Sequence, residues 1–118
     1  MINRSVSLSE ASPFHDNWRE QAEKGLDASG CALLRTAVEW GVEGLIGRHA
    51  DTGEPLAVHA AGVVLILAEI GADAEARAAA ILTMLPAGEA RQAHAEVERV
   101  RKEFGSSVVT LLQGARSL

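Results

Sequence analysis

Apolar side chains recur at three- and four-residue steps along much of the chain, a spacing that places them on one face of an α-helix. The pattern is well marked between Ser29 and Gly47. Ser29 is the predicted N-cap of this helix, and Gly47 is predicted to end it. The inner face of this predicted helix consists of Cys31, Leu34, Val38, Val42 and Leu45. Gly41 and Gly44 lower its helix propensity, and we interpret them as places where another helix packs closely.

Capping residues, glycines and prolines mark the other predicted helices. Asp16 is the expected N-cap of a short first helix, in which Trp18 would anchor the chain to the core. Asp73 is the expected N-cap of a fourth helix, which Pro86 would end. Five of the six predicted helices occupy residues 17–24, 29–46, 55–70, 74–85 and 89–104. The sixth starts at Ser106 or Ser107 and carries Val108, Val109, Leu111, Leu112 and Leu118.

The predicted fold class is all-α, a compact bundle of five to six helices. Residues 1–15 are expected to form a loose tail and residues 16–118 one helical domain. The third helix is apolar on more than one side, at Leu56, Val63, Val64, Leu67 and Ile70, and this predicts a central position.

Composition agrees with a helical bundle and limits the classes of partner. Hydrophobic residues make up 47% of the 118, aromatic residues only 3%, and tyrosine is absent. Small aliphatic side chains must therefore fill the core, as in closely packed helices. The formal net charge of −5 repels phosphate backbones, so nucleic-acid binding is not expected.

Targeting features are also informative. The first ten residues, MINRSVSLSE, lack the apolar region of a signal peptide, and the longest apolar stretch, 60–68, is too short to span a bilayer. Cys31 is the only cysteine, so an internal disulfide is excluded, and a small buried side chain is expected there rather than a reactive thiol. These observations predict a soluble cytoplasmic domain that binds no membrane.

Three motifs in order carry a resemblance to a known family. Thr52-Gly53-Glu54-Pro55 followed by Leu56-Ala57-Val58-His59 is similar to "GEPY-x-x-H-P". Next come VVLILAEIG at 63–71 and a helix rich in Ala and Leu. Phe104-Gly105 with Val108, Leu111, Leu112, Gly114 and Leu118 is similar to "FG-x-x-V-x-x-L-V-x-G-V-x-K-L". Together they resemble the amino-terminal HD-type hydrolase domain of the RelA/SpoT family, which makes and degrades the alarmones guanosine tetra- and pentaphosphate.

The segment before these motifs resembles one branch of that family. Its Trp18, Gly25-Leu26, Cys31 and Trp40 are similar to the RelA (synthetase-only) branch of proteobacteria.

The resemblance implies a metal site that this chain has lost. In hydrolase-competent members, a His at the start of one helix, a His-Asp pair on the next helix and a distant Asp hold a divalent ion, and a Glu-Asp pair assists the attacking water. His59 matches the first ligand. Thr83-Met84 stands in place of His-Asp and Ala87-Gly88 in place of Glu-Asp, and these side chains are poor ligands for a hard cation. The family's last Asp would lie beyond Leu118.

The nucleotide-binding loop departs from the family as well. Active members have Arg-Lys before Ser-Gly-Glu-Pro, where this chain has Ala50-Asp51. No catalytic residue, no metal ligand set and no cofactor are therefore expected in this chain.

The other titratable candidates have plain structural interpretations. His49 and His94 lack a second ligand at metal-binding spacing. Glu39 and Glu43 lie four apart and are expected on a solvated helix face. The run of Glu96, Glu98, Arg99, Arg101, Lys102 and Glu103 mixes signs, which is typical of an exposed helix surface. Trp18 and Trp40 are expected to be core or interdomain anchors.

The leading expectation is a pseudo-hydrolase domain from the amino terminus of a RelA-type GTP pyrophosphokinase of the stringent response. By resemblance, the parent enzyme uses Mg and transfers pyrophosphate from ATP to GTP or GDP, in a synthetase domain that would follow Leu118. This chain would pack against that domain and regulate it, and a homodimer is a further expected partner state, formed through surface that the parent covers. Two alternatives stay open: a live metal-dependent phosphohydrolase using a rearranged site around His59, and a free-standing helical interaction module.

Overall fold

A computed structural model describes residues 13–49, 52–85 and 90–116, and six α-helices make up most of these residues. No strand occurs within these residues, and the all-α prediction is confirmed. The helices are α1 (Asp16–Ala22), α2 (Ala28–Leu45), α3 (Leu56–Glu69), α4 (Ala74–Leu82), α5 (Ala90–Phe104) and α6 (Ser106–Arg116).

Side-chain caps start the first, second and fourth helices. The Asp73 carboxylate accepts from the amide of Ala76 at 2.8 Å, as predicted. Two predicted caps were wrong by one or two residues. Asp27 rather than Ser29 caps α2, because its carboxylate accepts from the amide of Gly30 at 2.7 Å. His15 rather than Asp16 caps α1, where an imidazole nitrogen accepts from the amide of Trp18.

Glycines follow four of the helices and reverse the chain. Gly25, Gly47, Gly71 and Gly105 all have positive φ, between 76° and 93°. This backbone conformation costs side-chain-bearing residues energy, so these glycines end helices as predicted. Pro55 precedes α3 as its N-cap instead of forming its first turn. The α4 helix ends at Leu82, before Pro86, which lies outside the described residues together with the predicted Ala87-Gly88 turn.

Helices α2 and α4 approach each other closely along a line of glycines. A Cβ built on Gly41 would lie 2.9 Å from Cγ2 of Ile81, and one built on Gly44 would overlap Cδ2 of Leu85. A side chain at Gly41 would therefore push the helices apart, whereas one at Gly44 would displace the end of the Leu85 side chain, which follows α4. The interpretation of Gly41 and Gly44 as close-packing positions is confirmed.

The buried face of α2 differs from the predicted one. Val42 is 43% exposed and Cys31 is half-buried, so these two assignments were wrong. The buried residues are Gly30, Leu34, Ala37, Val38, Gly41 and Leu45. The face is rotated because the glycines and Ala37 face α4, and a pattern based on large side chains does not count such small residues as core.

Helix α3 is not enclosed on all sides, contrary to the prediction of a central helix. Its buried residues are mostly alanines: Ala57, Ala60, Ala61, Val64 and Ala68. Val58, Ile66 and Ile70 are exposed. Small residues let α3 pack closely on α1 and α4 with one face, which leaves the opposite face uncovered. No helix among the described residues is both long and apolar enough to cross a membrane.

The first helix is anchored by Trp18, as predicted. Its side chain is 5% exposed, and its indole Nε1 donates to the carbonyl oxygen of Ala61 at 3.0 Å. Phe14 packs edge-on against it, with ring centroids 5.0 Å apart, and is itself buried. Phe14 therefore belongs to the core, and the expected loose tail of 1–15 does not extend that far. Residues 1–12 lie outside the described part of the chain.

The last two helices close the core against α4 and α2. Helix α6 packs on both α4 and α5, and its Val108, Val109 and Leu112 are buried. Phe104, at the end of α5, packs edge-on against the ring of Trp40 at 5.1 Å between centroids. Leu111 is exposed, and Leu118 lies outside the described residues.

Candidate functional site

His59 lies in the first turn of α3, at the end of the loop that follows α2. Its Nδ1 is 2.9 Å from Oε1 of Glu54, and both side chains are about half exposed. The loop is closed by a hydrogen bond from the amide of Leu56 to the carbonyl of Arg48, beside a single bridge between His49 and Pro55. The imidazole thus has a carboxylate partner within the same loop and faces solvent.

Thr83 and Met84 follow the last turn of α4. The Thr83 hydroxyl donates to the carbonyl oxygen of Ala80 at 3.2 Å, within the same helix end. Met84 is half-buried and packs against the hydrophobic core. Both side chains therefore serve local structure. Ala50, Asp51, Ala87 and Gly88, the other positions singled out from the sequence, lie outside the described residues.

A fully buried arginine was missed by the sequence analysis. Arg77 on α4 is 2% exposed, and its guanidinium donates to the carbonyl oxygens of Ala22 and Lys24 at 2.8 Å and of Ala72 at 2.9 Å. Ala22 is the last residue of α1, where helical carbonyls carry partial negative charge. This charge offsets part of the cost of burying the cation.

The position of Arg77 in the sequence could have predicted that it is buried. Ala74, Ala78 and Ile81 lie on the buried face of α4, and Arg77 falls within this face at helical spacing. A buried arginine among small core residues needs hydrogen-bond acceptors for its guanidinium. Here it joins the end of α1 to the turn between α3 and α4.

Beside Arg77 is an open cavity of about 640 Å³ that includes the starts of α2 and α4. The amides at these helix ends can attract anions in general. In this protein the carboxylates of Asp27 and Asp73 already accept hydrogen bonds from them. Glu69 and Glu75 add further negative charge to the wall. The arrangement opposes anion binding.

Cys31 lies beside an ion pair between α2 and the end of α1. Nε and Nη2 of Arg35 donate to the two carboxylate oxygens of Glu23 at 2.7 and 2.9 Å. These hydrogen bonds lower the pKa of Glu23 and raise the pKa of Arg35. Partial burial, followed by the nearby Glu23 carboxylate, raises the pKa of the Cys31 thiol. A raised pKa makes the thiolate scarce, which agrees with the prediction of an unreactive cysteine.

The remaining candidates are placed largely as predicted. Glu39 and Glu43 are exposed on α2. In α5, Arg101 pairs with Glu98 on the surface, and most of the charged run is exposed. Arg99 differs, because its guanidinium lies 4.7 Å from the centroid of the Trp40 ring, a cation–π contact that bridges α5 and α2. The side chain of His94 is outside the described residues.

Comparison with known proteins places this helical fold in a class. A family model described as "HD domain" matches residues 36–118. This range holds most of α2, all of α3 to α6, and His59, Thr83 and Met84. The chain belongs to the HD domain family. No curated protein and no solved structure matches it.

The matched range starts inside α2, so α1 lies outside it. Phe14 and Trp18 belong to this preceding segment, as do Ala22 and Lys24, two of the three residues whose carbonyl oxygens accept from Arg77. This segment nevertheless packs against core residues that lie within the matched range, such as Ala61.

Within the part of the chain that the structure describes, the donors do not fit the divalent ion that the resemblance implies. In the three described ranges, no three His, Cys, Asp or Glu side chains are grouped so that they can hold a metal. Glu54 and His59 provide one carboxylate and one imidazole, fewer than metal sites in proteins require. Thr83 and Met84 add a neutral hydroxyl, already donating to Ala80, and a thioether.

Proposed function

We propose that this chain is a pseudo-hydrolase: an HD domain that has kept its helical framework and lost its metal-dependent activity. The single observation that carries the proposal is the position of Thr83-Met84 at the end of α4, where active relatives of the family it resembles have His-Asp. Neither side chain suits a hard divalent cation, and Met84 packs into the core.

The family context extends the proposal. The motifs around His59, 63–71 and Phe104-Gly105 resemble the RelA/SpoT family, and the HD domain match covers all three. We infer that the domain belongs to the amino terminus of a RelA-type GTP pyrophosphokinase. Its parent would transfer pyrophosphate from ATP to GTP or GDP in a separate Mg-dependent domain.

In this parent the domain has a structural and regulatory role. It contributes no catalytic group, and it packs against the synthetase domain and restrains it. Replacement of the Arg-Lys pair by Ala50-Asp51 removes two positive charges that would contact the guanine nucleotide. We therefore expect no measurable alarmone binding to the isolated domain.

Three measurements on the purified chain test the proposal. Elemental analysis and calorimetry with Mn²⁺ are expected to show no stoichiometric metal. Incubation with guanosine tetraphosphate and Mn²⁺ is expected to release no pyrophosphate. Calorimetry with the alarmone alone is expected to give no heat of binding.

The opposite results support the alternatives. One equivalent of Mn²⁺ with pyrophosphate release would establish a live phosphohydrolase with a rearranged site around His59. If the chain, added to a RelA-type synthetase that lacks its own amino-terminal domain, neither binds it nor changes its rate, the regulatory role is wrong and a free-standing interaction module is favoured.

A further inference from the structure

Helix α1 is the shortest helix that the structure describes, and it precedes the matched family range. It has seven residues, Asp16–Ala22, whereas the HD domain match begins at residue 36. Isolated helices of fewer than about 12 residues are marginal in water. The helical state of α1 therefore depends on its docking against the rest of the chain, so undocking and unfolding of α1 are one event.

The large apolar side chains at this contact belong to the α1 segment, and small residues receive them. Trp18 is buried, and its indole donates to the carbonyl oxygen of Ala61 on α3. Phe14 packs edge-on against Trp18, and two of its ring carbons lie 3.6 Å from where a Cβ on Gly41 of α2 would be. An alanine and a glycine of the HD domain therefore lie under the two aromatic rings.

The end of α1 docks on a cation instead of an apolar side chain. Arg77 of α4 donates to the carbonyl oxygens of Ala22 and Lys24, which belong to the α1 segment, and to that of Ala72. If α1 leaves, water can reach the guanidinium and replace the first two acceptors. An apolar residue at this position would instead be left as exposed apolar surface, which costs free energy in water.

The turn after α1 has the properties of a hinge. Gly25 has a φ of +80°, and a Cβ built on it would meet no atom within 4 Å. Glycine adopts positive and negative φ about equally well, so the chain can change direction here without a steric clash. The ion pair of Glu23 with Arg35 also holds this turn, but the Arg35 side chain is exposed and such pairs contribute little.

We propose that residues 13–24 are a strap that opens and closes as one unit about Gly25 while α2 to α6 stay folded. We call them the α1 strap. Phe14 and Trp18 leave with the strap, and the places where they docked are small residues. At the other end, opening uncovers the guanidinium of Arg77, which water solvates. Opening therefore costs less than global unfolding, and the fold contains a second, partly open state.

Amide hydrogen exchange of the full chain tests whether the strap opens as a unit. The amides of Arg19 and Glu23, bonded to the carbonyl oxygens of His15 and Arg19, report on its two ends. NMR measurements at low urea concentrations should give both amides the same opening equilibrium constant. This constant should be at least about tenfold larger than that of the most protected amides of α2 and α4. A gradual change from one end of α1 to the other would show fraying and reject the strap.

A larger side chain under Trp18 should open the strap without changing its sequence. Ala61 is 4% exposed, and we expect Ala61→Leu to speed exchange of the α1 amides about tenfold or more, because the added atoms overpack the contact with Trp18. The amides of α2 and α4 should stay protected. Gly62→Leu places a leucine at the next position of α3, where a Cβ would meet no atom within 4 Å, and it is the matched control with no acceleration expected.

Two outcomes of the Ala61→Leu experiment would overturn the proposal. If Ala61→Leu removes protection from the whole chain, α1 is an integral part of the core. If it leaves the α1 amides as protected as in the wild type, Trp18 does not need a small residue beneath it.

Phe14→Ala weakens the strap from its own side and leaves the matched family range unchanged. It too should speed exchange of α1 alone. Equal acceleration of α1 and α4 amides by Phe14→Ala would also reject the strap.

Discussion

Gly41 of α2 and Ile81 of α4 meet where their helices are closest, and a Cβ built on Gly41 would lie 2.9 Å from Cγ2 of Ile81. Real Cβ atoms do not approach side-chain carbons so closely, so the contact requires glycine. Helix propensity alone opposes glycine here by about 1 kcal/mol. Close packing of α2 on α4 is therefore preferred over local helix stability at this position.

Replacement of Gly41 tests this balance. We expect Gly41→Ala to lower the free energy of unfolding by about 1–3 kcal/mol, because overpacking outweighs the gain in helix propensity. Urea denaturation followed by circular dichroism measures the change. Gly62→Ala is the matched control at low protein concentration, and it should raise stability by up to about 1 kcal/mol since nothing lies near its Cβ. Equal stabilisation by both substitutions would mean that α2 and α4 separate without cost.

Arg77 gives a second prediction. Arg77→Ala should lower the free energy of unfolding by about 3 kcal/mol or more, because it leaves a cavity and removes the donors to three carbonyl oxygens. Arg77→Met keeps most of the volume but not the hydrogen bonds, and it should fall between wild type and Arg77→Ala. If Arg77→Met equals wild type in urea denaturation, the hydrogen bonds to Ala22, Lys24 and Ala72 give no net stability.

The helices were predictable where single residues mark their ends. Asp73 and Gly105 have local roles, a cap and a positive-φ turn, which depend on little beyond neighbouring backbone. Val42 and Arg77 were misplaced or missed because their burial depends on which face α4 and α1 cover. Small residues such as Ala37 and Gly41 determine which helix faces are in contact, and such residues contribute little to a hydrophobic pattern.

The candidate site was predictable to a lesser extent. The place of His59 in the first turn of α3 followed from Pro55 and the glycine before it. Its pairing with Glu54 was not evident, because the loop geometry brings together residues five apart. Ile70 was counted among the apolar residues that predicted a central position for α3, but it is exposed. The sequence pattern does not show whether a second apolar face of a helix is covered.

The ion pair between Glu23 and Arg35 predicts a pH dependence of stability. The folded-state pKa of Glu23 is lower than in the unfolded chain, mainly because Arg35 donates two hydrogen bonds to it. The pair therefore stabilises the fold above the unfolded-state pKa, and this stability is lost as pH falls through the lowered value. A double-mutant cycle with Glu23→Gln and Arg35→Met should give a favourable coupling free energy at pH 7, reduced by solvent screening because Arg35 is exposed. The coupling should disappear below the folded-state pKa, and a coupling independent of pH would contradict the assignment.

Introduction of a His-Asp pair is the sharpest test of the proposed loss of a metal site. In the double variant Thr83→His, Met84→Asp, the end of α4 carries the His-Asp pair that active members have in the RelA/SpoT family, which this chain resembles. If His59 still occupies a ligand position, the variant should bind Mn²⁺ at least about tenfold more tightly than wild type, because imidazole and carboxylate ligands suit this ion. Calorimetry and the Mn²⁺-dependent shift of the melting temperature measure the gain. Addition of His59→Ala should abolish the gain, whereas His49→Ala, at another exposed loop histidine, should leave it unchanged. If the double variant gains no affinity for Mn²⁺, α3 and α4 do not place positions 59, 83 and 84 around a common point. Substitution at 83 and 84 alone would then not explain the absence of a metal site.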